Sequence, residues 1–97
     1  MPDILENATI QAFLADFPAW SECGGALHRG LKFRDFATAL RFMNEVGAVA
    51  EEMNHHPDWS NSYNRVEVAL RTHSSGGITE LDLALARRMD EIASRLR

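Results

Sequence analysis

Apolar and polar positions divide the chain into two kinds of element. Ile4, Leu5, Ala8, Ala12 and Leu14 or Ala15 recur at helical spacing, predicting a short helix over 4–17 that Pro18 stops. Gly24-Gly25 is a turn signal. Beyond it Leu27, Arg29, Leu31 and Phe33 alternate with Ala26, His28, Gly30 and Lys32. A period of two belongs to extended chain, so strands are expected over 19–23 and 26–33. The clearest helix follows over 36–53, where Phe36, Ala39, Leu40, Met43, Val46 or Gly47, Ala50 and Met53 hold one face. Asp35 or Arg34 stands at its start, and an acid there suits the helix dipole. Asn54 suits its end, and Pro57 cannot continue it.

The second half repeats the scheme. A short strand over 58–63 precedes a longer one over 64–73, with Asn64 at the turn. In the longer strand Val66, Val68, Leu70 and Thr72 face one way, and Arg65, Glu67, Ala69, Arg71 and His73 the other. Ser74-Ser75-Gly76-Gly77 breaks the chain. Thr79 with Asp82 three residues on resembles a capping box, Asp replacing the usual Glu. The last helix then buries Leu81, Ala84, Leu85, Met89, Ile92 and Leu96. The order is α-β-β-α-β-β-α. Short links between strands predict an α+β fold, a four-stranded antiparallel sheet with helices packed on one face.

Composition narrows the function classes. A chain of 97 residues fits a single domain over 1–97, and 45% hydrophobic residues can build its core. Ten Lys and Arg against 14 Asp and Glu argue against nucleic-acid binding through a basic surface. One cysteine, Cys23, forms no internal disulfide and reads as a small buried or half-buried thiol. No run approaches the roughly 18 apolar residues that span a bilayer. No signal peptide is visible at the start, so a soluble cytoplasmic protein is expected.

Candidate chemistry concentrates in Glu51-Glu52-Met53-Asn54-His55-His56-Pro57-Asp58-Trp59, followed by Tyr63, Thr72-His73 and Asp82. Glu51 and His55 are four apart at a helix end, so the carboxylate can reach the imidazole. That anion and the negative helix terminus both favour imidazolium. Pro57 forces His56 out of helical geometry, so the adjacent histidines point in different directions. His73 ends a strand on the face opposite the core. Histidine titrates near neutral pH, which suits proton transfer both ways. A metal is not favoured, because adjacent histidines rarely chelate one ion and no HExxH or CxxC spacing occurs. Gly76-Gly77 matches neither phosphate loop nor dinucleotide pattern. Trp59 and Tyr63 suit stacking on a flat heterocycle, though aromatic residues in strands more often pack.

Glu51, three residues, His55-His56-Pro57, five residues, Tyr63, nine residues, His73, eight residues, Asp82 resembles the active-site signature of the pterin-4a-carbinolamine dehydratases. Trp20, Leu31 to Phe36, Phe42-Met43 and Ser75 to Asp82 extend the resemblance over most of the chain. His28 departs from it, standing where an apolar or aromatic residue would suit the strand. The resemblance implies a hydro-lyase of tetrahydrobiopterin recycling, converting 4a-hydroxytetrahydropterin to quinonoid dihydropterin without cofactor or metal. It implies that His55 and His73 act as acid and base and that His56 mainly binds the pterin. By the same resemblance Glu51 orients His55, Trp59 flanks the pocket and Thr72 lies beside His73. Asp82 matches too, with capping as its expected role. The implied partners are a pterin substrate, further copies of the chain in a dimer or tetramer partly built by joining sheets, and a functional link to an aromatic amino acid hydroxylase. No membrane or direct nucleic-acid partner is implied. The rivals are a protein-binding, assembly or transcriptional-cofactor module on the same fold, and an acid/base lyase or isomerase acting on another heterocycle.

Overall fold

The computed structural model describes residues 2–96. It contains α1 (Asn7–Asp16), β1 (Ser21–Cys23), β2 (Ala26–Lys32), α2 (Phe36–Met53), β3 (Asp58–Ser62), β4 (Arg65–Leu70) and α3 (Glu80–Arg95). The expected order is observed. The strands form one antiparallel sheet in the order β1-β2-β4-β3. Gly24 and Gly25 both have positive φ, 60° and 76°, the backbone a tight two-residue hairpin between β1 and β2 requires.

Register decides what each face carries. Leu27 lies opposite Leu70, Arg29 opposite Val68 and Leu31 opposite Val66. This face packs on Phe42, Val46, Leu85 and Met89 of α2 and α3. Arg29 is its charged member. It pairs with Asp90 of α3, which also accepts from Trp20 Nε1 at 2.8 Å. The opposite face carries His28, Ala69 and Asp58 in one row and Gly30, Glu67 and Ser60 in the next.

Several sequence expectations shift. α1 begins at Asn7, because Leu5 spends its N–H on the Ile78 carbonyl (2.9 Å) and Pro2 O accepts from Ser75 Oγ (2.6 Å). Residues 2–5 are thus held as extended chain, Ile4 is exposed, and α1 buries Ile10 and Phe13 rather than Ala8 and Ala12. On α2 the buried positions are Thr38, Ala39, Phe42, Val46, Val49 and Ala50. Phe36 and Leu40 are 44% and 41% exposed, because the contact with β4 and α3 lies one row round the helix. On α3 Leu81 and Ala84 are only half-buried, while Leu83, Ala86 and Ala93 are buried. The stripe widens because α3 meets α2 on one side and α1 on another, with the Arg87 guanidinium 5.5 Å from the Phe13 ring. Cys23 is exposed, correcting its expected burial, since all three residues of the short edge strand β1 are open to solvent. Among the described residues no helix is long and apolar enough to cross a membrane.

Candidate functional site

Two chain reversals build the site. At the end of α2, Asn54 adopts a left-handed conformation (φ 51°, ψ 41°). Its N–H donates to Glu51 O (3.1 Å) and that of His55 to Ala50 O (3.0 Å). This is a Schellman turn, which Asn tolerates better than most residues. It turns His55 inward and hands the chain to His56, Pro57 and β3. The second reversal follows β4. Thr72 donates its N–H to Gly77 O (2.8 Å) and accepts from Ser75 and Gly76 N–H, while Gly76 has φ 79°. Thr79 then caps α3 in a capping box with Asp82.

The innermost group is centred on Asp82, which is fully buried. Its Oδ1 accepts from His55 Nε2 at 2.6 Å. Its Oδ2 accepts from Thr72 Oγ1 and from Thr79 N, both at 2.9 Å. Thr79 Oγ1 in turn accepts from Leu81 N–H (3.2 Å). Thr72 spends its one hydroxyl hydrogen on Asp82, so in the 2.6 Å Thr72–Thr79 contact Thr79 donates. Three donors therefore converge on a carboxylate whose oxygens only accept. That arrangement places the His55 hydrogen on Nε2 and leaves Nδ1 as its second ring nitrogen.

The other two histidines also use Nε2 toward a carboxylate. His56 donates to Glu51 at 2.6 Å and His73 to Asp58 at 3.1 Å. These pairs are open. The His73 and His56 side chains are 67% and 56% exposed, against 9% for His55. Water screens such exposed pairs, so they add little to stability; what they fix is ring orientation. A shallow hollow of about 330 Å³ on the open sheet face touches this region at Asp58 and is otherwise lined by His28, Ser60 and Glu67 among others.

The predicted residues are thus placed as follows. His55, Thr72 and Asp82 share one buried network. Glu51 meets His56, correcting the expected Glu51–His55 contact. The Schellman turn carries His55 off the α2 surface, and His56 returns to it instead. Asp82 caps α3 and also holds His55. Trp59 faces the helix side opposite Val68, half-buried against the core. Tyr63 is 66% exposed in the β3–β4 turn with φ 49°, outside any packed position. His28 donates Nε2 to Cys23 O (3.1 Å) and lies in the same row of the open sheet face as Ala69 and Asp58. Two members had no site role in the sequence reading, Asp58 and Thr79. Asp58 meets a partner 15 residues away, which no local spacing reveals, whereas the capping box pointed to Thr79. Among the described residues no three of His, Cys, Asp and Glu are grouped so as to hold a metal ion.

Comparison with known proteins gives this geometry a family. A family model described as pterin 4 alpha carbinolamine dehydratase matches residues 3–92. The chain belongs to that family. A Thermomicrobium roseum protein named "Putative pterin-4-alpha-carbinolamine dehydratase" is 49% identical over 90 residues, covering 93% of this chain and 97% of its own. An Afipia carboxidovorans protein of the same name is 47% identical over 97 residues, covering 98% and 97%. Among solved structures, a Brucella melitensis protein described as a transcriptional coactivator/pterin dehydratase superposes with TM-score 0.91 at 42% identity, covering 94% of this chain and 99% of that one. A pterin dehydratase-like protein described as a RuBisCO assembly factor in the alpha-carboxysome superposes with TM-score 0.67 at 27% identity, covering 77% and 89%.

Proposed function

We propose that this chain is a hydro-lyase that removes water from a 4a-hydroxytetrahydropterin, giving the quinonoid dihydropterin, with His55, His56 and His73 as its working residues. The observation that carries the reading is that all three imidazoles of a dehydratase-family chain are aimed by a carboxylate on Nε2. Loss of water breaks the C4a–O bond and the N5–H bond and forms C4a=N5. One group must protonate the departing hydroxyl and another must take the N5 proton. An imidazole whose Nε2 is held by a carboxylate offers Nδ1 for either task, and the carboxylate stabilises the imidazolium that forms when Nδ1 takes a proton. In this reading His55 and His73 exchange the protons and His56 binds the pterin. Asp82 orients His55, Glu51 orients His56 and Asp58 orients His73. Thr72 fixes Asp82, and Trp59 backs β3 from the helix side. Imidazoles suit this chemistry near pH 7, where carboxylic acids are ionised and lysines protonated.

The test is turnover of a 4a-carbinolamine generated by phenylalanine hydroxylase, comparing wild type with His55→Ala and His73→Ala, each shown to be folded by circular dichroism. Loss of about 100-fold or more in each variant supports the reading. Wild-type turnover in both variants would overturn it.

A second reading, a protein-binding module on the same fold, is favoured by exposed Phe36 and Leu40 on α2. It is also favoured by the coactivator and assembly-factor descriptions of the two solved relatives. Apolar side chains adjacent on one helix face suit a second copy of this chain as readily as another protein. Light scattering of wild type and Leu40→Glu separates the two: self-association that the variant abolishes assigns the face to a homo-oligomer.

A further inference from the structure

We infer that Arg71 selects pterins whose ring substituent carries an anionic carboxylate or phosphate. The inference rests on the dehydratase reading and deepens it, since it names the substrate class of the same site. Arg71 directly follows β4 and directly precedes Thr72-His73. Thr72 turns inward to Asp82, so strand alternation puts Arg71 on the opposite side, which it shares with Ala69 and His73. Leu70 pairs with Leu27 and Ala69 with Asp58. Continuing both registers sets Arg71 level with Ala26 on one flank and with His56 on the other. Its backbone therefore lies beside His56 and two residues before His73 on the same segment.

The Arg71 side chain is half-buried, and its Nε is shut away from solvent with no hydrogen-bond partner. A buried donor without an acceptor is costly, and a permanently charged one more so. The carboxylates of the site are committed elsewhere: Glu51 to His56, Asp58 to His73 and Asp82 to His55. Glu67, on the same sheet face, leans over Gly30, where a Cβ would come within 3.0 Å of its Oε2. Among the described residues Arg71 has no ion-pair partner closer than 4 Å. With Nε closed off from solvent, the outer edge of the guanidinium is the part that can meet a ligand's acceptor. A guanidinium presents a planar fork of donors that matches carboxylate and phosphate two bonds at a time. The pterin ring is neutral, so such an anion must come from its substituent.

The experiment titrates wild type, Arg71→Lys and Arg71→Gln with three fluorescent pterins: 6-hydroxymethylpterin, its phosphate ester and 6-carboxypterin. Wild type is expected to bind at least one of the anionic pterins about tenfold more tightly than the neutral one, the effect of one charge-assisted hydrogen bond. Whether the phosphate or the carboxylate arm shows the gain identifies the source of the anion. The preference should vanish in R71Q and shrink in R71K, which keeps the charge without the fork. Equal affinities in wild type would overturn the inference, and so would a preference that survives in R71Q. Should R71Q not fold, an unchanged preference in R71K overturns it. If wild type dehydrates a neutral carbinolamine but shows no anion preference, only this inference falls. If it binds none of the three pterins and dehydrates nothing, the dehydratase reading falls with it.

Discussion

Replacing Asp82 separates its two jobs. Asp82→Asn keeps the shape. The amide oxygen can occupy the Oδ2 position, where it still accepts from Thr79 N and Thr72 Oγ1 and preserves the α3 cap. The amide nitrogen then faces His55 Nε2, and two donors oppose one another unless His55 moves its hydrogen to Nδ1. Losing one charge-assisted hydrogen bond costs about 1–2 kcal/mol. For a domain of this size that lowers the melting temperature by about 5–10 °C. Turnover should fall much further, by about 100-fold or more, because Nδ1 no longer has the hydrogen state the reaction uses. Asp82→Ala removes the cap as well, for about 1 kcal/mol, and strands buried donors at about 1–3 kcal/mol each. The total of about 3–7 kcal/mol takes a large share of a small domain's stability and should lower the melting temperature by about 15 °C or more. Thermal melts and carbinolamine turnover on both variants check this. In a double-variant cycle, Asp82→Asn should cost little activity once His55 is already alanine. Wild-type turnover in Asp82→Asn, or strict additivity with His55→Ala, would refute the claim that Asp82 acts through His55.

Asn54→Gly should melt close to wild type. Asn54→Ala should lose about 1 kcal/mol, because only the latter strains the left-handed turn, and its turnover should fall as His55 moves. Asp90→Ala strands the Arg29 guanidinium and the Trp20 N–H, and urea unfolding should show a loss of about 3 kcal/mol, against about 1 for Trp20→Phe with respect to the hydrogen bond alone. Asp35 caps α2, and the hydrogen bonds from the Thr38 hydroxyl and then the Thr38 N–H hold its carboxyl below the ordinary carboxylate range. A lowered folded value means that its contribution is full above the unfolded pKa, about 3.9, and is lost as pH falls through the folded value. The melting difference between wild type and Asp35→Ala should therefore be constant near neutrality and close in acid; a difference that widens on acidification contradicts that sign.

Most of the element order was legible because each element carries its own period. The boundaries of α2 and the β1–β2 hairpin follow from Asp35, Asn54 and the paired glycines. The start of α1 was not legible, since the Leu5–Ile78 hydrogen bond that stops it joins residues 73 positions apart. The buried stripe of α2 was misplaced at Phe36 and Leu40, because periodicity gives an apolar arc and not the side on which the sheet lies. At the site the residue types were legible but the pairing was not. Glu51 is four residues from His55 and five from His56, and only the Schellman turn decides between them. The His55–Asp82 and His73–Asp58 pairs likewise depend on tertiary packing across 27 and 15 residues.

The most direct measurement is single-turnover stopped-flow absorbance of a preformed 4a-hydroxy-6-methyltetrahydropterin mixed with excess protein. Wild type should convert it to quinonoid dihydropterin many times faster than buffer does near pH 7, and a folded variant lacking both His55 and His73 should not. A decay rate for folded wild type equal to that of buffer would contradict the dehydratase reading and favour the protein-binding one.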